Sequence, residues 1–228
     1  MQTLEDEPRR QVLRNYLDVV ILRDVVERYS VSNTAALRAL IRHIMSAPAT
    51  RFSINKFYNS LKSLGVAGSK NNLYDFLEYR SDAFLVYPVP IHARSERVRR
   101  VNPQKIYVID PGLLGAMSFR MTGDQGAILE NLVFLHFRRR GVNLEYYLTG
   151  DGIEIDFVVA PDVQKERQLI QVCWDISNPE TKRREVTALL KGMKELGLKR
   201  GTIVTWLDED LSDERVQILP AWKWLLDE

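Results

Sequence analysis

Ile153-Glu154-Ile155-Asp156-Phe157-Val158-Val159 alternates apolar and acidic side chains, and Leu169-Ile170-Gln171-Val172-Cys173-Trp174 follows after a polar gap. Alternation of period two marks a half-buried strand, because successive side chains point to opposite faces. That parity places Ile153, Ile155, Phe157 and Val159 on one face, with Glu154 and Asp156 on the other. On the second run Gln171 and Cys173 share a face.

Working outward, residues 125–140 form a predicted helix that is apolar on most sides, with Glu130 on a stripe shared by Val133, Phe134 and Phe137. A carboxylate on such a stripe must be paired, bound to metal, or turned into a polar cleft. Leu144 to Leu148 reads as a strand and Gly150-Asp151-Gly152 as a turn. Downstream, a helix over 179–196 leads to a strand over 201–207, the pattern of a βαβ crossover. Asp208-Glu209-Asp210 reads as a solvated loop, Val216 to Leu219 as a short strand, and Pro220 to Leu226 as a terminal helix.

The front half is helical first. Residues 11–29 set Leu13, Tyr16, Leu17, Val20, Val25 and Tyr29 roughly on a 3.6-residue period. A second helix follows Ser32 and Asn33, which can cap it, and a third begins after Ser53. Gly65-Val66-Ala67-Gly68 makes a turn, and Ser69 caps a fourth helix. Phe84 to Tyr87 and Lys105 to Ile109 read as paired strands around a basic loop. Two helices, then a hairpin with a basic tip, form a winged-helix arrangement. In it the fourth helix would lead into the DNA major groove with Ser69, Lys70, Asn71 and Asn72, and Arg94, Arg97, Arg99 and Arg100 at the tip would contact phosphate. Asp75 and Glu78 on the same helix oppose a DNA backbone, and winged helices also dock proteins. The glycines between 112 and 126 place the boundary between a domain over 1–118 and another over 119–228.

Composition narrows the classes. Residues 1–120 hold 18 Lys and Arg against 11 Asp and Glu, a net of +7, whereas 121–228 hold 14 against 19, a net of −5. A basic front half is compatible with nucleic acid. A single cysteine excludes an internal disulfide framework and fits a reducing cytoplasm. Three widely spaced histidines argue against a zinc site, and no apolar run approaches a membrane span.

The order of helix with Glu130, strand, strand with Asp156, strand with Gln171, helix and strand resembles the PD-(D/E)XK nuclease superfamily. The resemblance implies an α/β domain with a central mixed sheet behind the winged helix. It also implies Mg²⁺ or Mn²⁺ held by Glu130, Asp156 and Gln171, with a lysine two residues further on that positions water. Cys173 stands at that lysine position, and a thiol supplies no such charge.

The whole chain is also similar to the C-terminal part of a prokaryotic AAA-type (STAND-like) ATP-binding family. The similarity rests on Arg14-Asn15-Tyr16-Leu17, Tyr107-Val108-Ile109-Asp110-Pro111-Gly112-Leu113, Gly126 to Val133, Glu154 to Val158, Ile170 to Trp174, and Leu219 to Leu225. In that family the Gln-Val-Cys form of the third motif is familiar. Members join a P-loop ATPase to a winged helix and a nuclease-like domain of unknown function. This chain carries no G-x-x-x-x-G-K-S/T, hence no ATP site, and its charged start suits a junction just after an ATPase module.

Three readings follow. The chain is a regulatory or nucleic-acid-binding module with a degenerate nuclease-like domain, coupled to an ATPase; or it is an active Mg²⁺- or Mn²⁺-dependent DNase, with a lysine such as Lys182 replacing the missing one; or it is a protein-interaction scaffold, in which Glu130, Asp156, Gln171 and Cys173 serve packing alone.

Overall fold

The computed structural model describes residues 2–82, 85–117, 125–159, 167–211 and 213–227, apart from side chains near the ends of some helices. The chain divides into two compact units. One comprises 1–88 with 103–123, the other 89–102 with 124–228. The expected boundary between 118 and 119 lies outside the described residues. Among the described residues no helix is long and apolar enough to cross a membrane.

The first unit opens with helix α1 (Gln2–Val20), which runs into a π-helical segment, Ile21–Glu27. Their buried side is Leu17, Val20, Ile21 and Val25. Tyr16, expected on the core stripe, is instead 59% exposed. It lies one position from Leu17, on the flank of the stripe that the other apolar residues define.

Helix α2 (Thr34–Ser46) is capped by Asn33, whose Oδ1 accepts from the Ala36 amide at 3.0 Å while its Nδ2 donates to the Ala67 carbonyl at 2.6 Å. One asparagine thus starts a helix and pins a distant turn. Strand β1 (Arg51–Phe52) and helix α3 (Ile54–Ser63) follow, the latter capped by Ser53. Helix α4 (Lys70–Asp82) begins after Ser69, whose hydroxyl accepts from the Asn72 amide at 3.1 Å. Strand β2 (Val86–Val89) leads to residues 89–102, which include the short helix α5 (Glu96–Val101) and belong to the second unit. Strand β3 (Gln104–Val108) and helix α6 (Pro111–Met117) return to the first.

The small sheet runs β1-β3-β2, with β1 antiparallel to β3. Its core gathers Leu37, Leu40, Phe57, Leu61, Leu73, Phe76, Val86 and Ile106. Helix, strand, two helices and two strands in this sheet order form the winged-helix arrangement. The loop between β2 and β3 departs from a simple basic tip, because it contains α5 and a stretch committed to the other sheet.

The second unit is a five-stranded mixed sheet packed with helices. After α7 (Gln125–Arg139) come β4 (Leu144–Leu148), β5 (Glu154–Val159), β6 (Gln168–Val172), α8 (Pro179–Leu196), β7 (Gly201–Thr205), β8 (Val216–Pro220) and α9 (Ala221–Asp227). The order is β4-β5-β6-β7-β8; β5 is antiparallel to both β4 and β6, and β6, β7 and β8 run parallel. Parallel β6 and β7 joined through α8 are the expected crossover.

Local chemistry sets the limits of α8. Asn178 accepts from the amides of Glu180 and Thr181, Pro179 fits the first turn, and Gly197 ends the helix at φ 69°. Gly192 lets the helix lie close on the sheet: a Cβ there would meet Ile155 Cγ1 at 3.1 Å and Leu169 Cδ1 at 3.2 Å.

The alternation expected along β5 is interrupted. The register against β4 shifts between Glu145 and Tyr147, so β5 carries an extra residue there. Ile155 and Val158, of opposite parity, therefore sit in the same core with Leu169, Leu189 and Met193, and Ile153 is 37% exposed.

Short bridges cover both margins of the sheet. Ile91 pairs in parallel with Tyr146 along β4, and Asp210 pairs antiparallel with Ile218 along β8.

Candidate functional site

The β5–β6 ladder pairs Val159 with Gln168, Val158 with Leu169, and Phe157 with Ile170. Beyond Phe157 the side chains take over the backbone's hydrogen bonds. The Asp156 amide donates to Gln171 Oε1 at 3.2 Å, and the Val172 amide donates to Asp156 Oδ2 at 2.9 Å. Buried amides must find acceptors, and here the acid and the amide of the two motifs supply them. Asp156 is 6% exposed and Gln171 8%.

A third residue completes the group. Glu185 on α8 is 8% exposed, and its Oε2 accepts from Gln171 Nε2 at 3.0 Å. Its Oε1 accepts from Arg184 Nε at 3.0 Å and Nη2 at 2.7 Å. Both ends of the Gln171 amide are thus engaged within the protein. Glu185 is absent from the sequence expectations, yet its signal was present. It lies on one stripe with Ala188, Leu189, Gly192 and Met193, all buried, so the reasoning applied to Glu130 extends to it.

Cys173 sits beside this group. Its amide donates to the Val204 carbonyl at 3.0 Å, and its thiol contacts the Asp175 carbonyl at 3.4 Å. Burial pushes the thiol pKa up, and the negative charge of Glu185 pushes it the same way. Reactive and metal-binding cysteines need the opposite environment.

The other expected residues are distributed as follows. Glu130 is half-buried on α7. Lys182 pairs with Asp210, so it is committed to another carboxylate. Asp208 accepts from the Ile176 amide at 3.2 Å and Glu209 pairs with Lys223 at 2.5 Å, so the acidic run is tied into the fold rather than merely solvated. Among the described residues no three His, Cys, Asp or Glu side chains are grouped to hold a metal ion. Gln171 is bonded at both ends of its amide, and Asp156 Oδ2 accepts from the Val172 amide.

On α4, Lys70 and Asn71 are exposed, whereas Asn72 is drawn back by its bonds to Ser69. The Lys70 ammonium stands 5.6 Å from the Tyr58 ring centroid. Arg94, Arg97 and Arg100 are exposed, and Arg100 pairs with Glu96 at 3.2 Å. Arg99 behaves differently from the expected phosphate contact. Its Nη2 meets Glu145 Oε1 at 2.8 Å, its Nε donates to the Ala93 carbonyl at 2.8 Å, and His92 Nδ1 holds the other Glu145 oxygen at 2.5 Å. This Arg–Glu–His group fastens the 89–102 segment to β4.

A family model described as Domain of unknown function (DUF8612) matches residues 1–124, and one described as Domain of unknown function (DUF4143) matches residues 125–224. The chain is 35% identical over 98% of its length to the uncharacterized protein MJ1544 of Methanocaldococcus jannaschii, covering 52% of that protein. It is 26% identical over 76% of its length to an uncharacterized protein of Haemophilus influenzae, covering 43% of it. The chain thus spans about half the length of the curated relatives it matches. No solved structure matches it.

Proposed function

The chain belongs to the DUF8612 family, with a DUF4143 domain after it, and we propose that it is a non-cleaving, nucleic-acid-binding module that works with an ATPase domain. One observation carries the reading: Gln171 joins the Asp156 amide to the Glu185 carboxylate and the Asp156 carboxylate accepts from the Val172 amide, beside a cysteine where a nuclease would need a lysine. A catalytic centre keeps a carboxylate open to metal and water. Here the same positions brace β5, β6 and α8.

The binding surface is the first unit. It presents Lys70 and Asn71 at the start of α4, within a front half of net charge +7 over residues 1–120. The relatives' further length leaves room for the P-loop ATPase that the family resemblance implies. ATP-driven motion there would be passed to a DNA-holding module here.

The test is a binding and cleavage series on duplex and branched DNA, with and without Mn²⁺. The expected result is binding that weakens steeply with salt and DNA left intact. Cleavage abolished by Asp156→Ala would establish the nuclease reading instead, and no binding at low salt would leave protein docking.

A further inference from the structure

The first unit holds a cavity of about 160 Å³ between the end of α2, β1, the first two turns of α3, and β3. Its floor is apolar and buried, made by Ile44, Phe52, Phe57 and Ile106. The His43 ring extends this into an aromatic wall, with its centroid 4.8 Å from that of Phe57 and 5.7 Å from that of Phe52. Burial lowers the His43 pKa, so the ring is neutral at neutral pH. Thr50, Arg51, Ser53, Lys56 and Ser60 form the rim. A concave apolar floor with a few polar groups at its mouth is the usual build of a small-molecule site.

Local sequence makes the hollow. Ala49 lies in the left-handed region at φ 57°, and the Thr50 hydroxyl donates to the Ala47 carbonyl at 2.7 Å, so the chain turns sharply from α2 into β1. Ser53 then caps α3, accepting from the Lys56 amide at 3.4 Å, and the Ser60 hydroxyl donates to the Lys56 carbonyl at 3.1 Å. Thr50 and Ser60 thus spend their protons on the backbone, and the charge at the rim belongs to Arg51 and Lys56.

Charge and size together name the ligand. From Arg28 to Tyr74, and again along β3, the sequence holds no Asp or Glu. Every element lining the cavity therefore lacks a carboxylate, while Lys56 is exposed and forms no ion pair among the described residues. An apolar cavity of about 150 Å³ takes up benzene. A phosphate or acetate alone would leave the aromatic floor uncovered.

We propose that this cavity binds a small aromatic carboxylate, with its ring on Phe52 and Phe57 and its carboxylate against Lys56 and Arg51. Asp156, Gln171 and Glu185 belong to the other unit, and DNA binding enters none of the readouts below.

Calorimetric titration of the whole chain with benzoate tests it. For a ligand of this size the expected Kd is on the order of 0.1 to 1 mM. Benzyl alcohol keeps the ring without the charge and should bind about tenfold more weakly; acetate and inorganic phosphate, which lack the ring, should bind more weakly still. Lys56→Met should weaken benzoate about fivefold and leave benzyl alcohol unchanged. Ser60→Phe fills the mouth from an exposed position and should abolish both. In the unaltered chain, amide NMR shifts induced by benzoate should cluster at residues 43–60. No saturation by about 10 mM benzoate, benzyl alcohol or phosphate bound as tightly as benzoate, affinity indifferent to either substitution, or shifts confined to other residues overturns the proposal.

Discussion

Gln171 on β6 donates from Nε2 to Glu185 Oε2 on α8 at 3.0 Å, and both residues are buried. This bond joins the crossover helix to the strand that precedes it. It also binds the one residue that a metal would need to recruit from β6.

Removing the acceptor strands a buried amide. Glu185→Ala should lower stability by about 2 kcal/mol, the cost of a buried donor left unsatisfied, read as a lower urea midpoint at unchanged slope. Glu185→Gln keeps an acceptor and should cost less. If Glu185→Ala unfolds at the wild-type midpoint, the network is not bracing the domain.

Restoring a lysine should not restore a nuclease. Cys173→Lys places an ammonium near Glu185, but Gln171 and Asp156 remain bonded as before. Plasmid incubated with this variant and Mn²⁺ should stay supercoiled. Nicking that a further Asp156→Ala change abolishes would show that the cysteine alone had silenced the site.

The Cys173 thiol is held above its ordinary pKa, first by burial and then by Glu185. The thiolate is the reactive form, so alkylation by iodoacetamide should be slow near pH 8 and quicken in Glu185→Gln. A thiol pKa raised in the folded state adds stability at lower pH, which is lost as pH rises past the unfolded thiol's value. Tyr147 behaves alike: burial, then its 2.7 Å hydrogen bond to Glu195, raises it to about 12. Its contribution is complete below pH 10 and is lost between there and about 12. A phenolate absorbance titration should lose a late-titrating tyrosine in Tyr147→Phe.

Two cations thought equivalent in the sequence should separate in binding experiments. Lys70→Ala should weaken duplex binding and reduce the salt slope by about one. Arg99→Ala should leave DNA affinity unchanged and instead lower thermal stability, because Arg99 spends its charge on Glu145. Equal losses of affinity from the two would return Arg99 to the binding surface.

Packing at Gly192 gives a purely structural check. Gly192→Leu forces side-chain atoms between α8 and the Ile155 and Leu169 side chains, with an expected cost of about 3 kcal/mol by thermal denaturation. Gly192→Ala should be far milder, since flexible methyl ends can yield and alanine favours the helix.

Much of the fold was legible because it is written in local signals. Asn178-Pro179 and Gly197 set both ends of α8, and the cap residues Asn33, Ser53 and Ser69 each start the helix expected of them. What escaped depends on partners remote in sequence. The β5 irregularity is defined by its register against β4, so parity within β5 could not reveal it. Residues 91 and 92 meet β4 more than fifty positions away, with no periodicity of their own. Glu185 is the instructive omission: its helical stripe was readable, but Gln171 as its partner was not.

The two bridges at the margins of the larger sheet have a further consequence. With Ile91 along β4 and Asp210 along β8, each outer strand already has a neighbour for part of its length. A visiting polypeptide cannot easily join by adding a strand, and copies of the domain are discouraged from zipping edge to edge into fibrils. Association is thereby directed to side chains and helix surfaces, where charge and shape discriminate more finely than a row of identical amides.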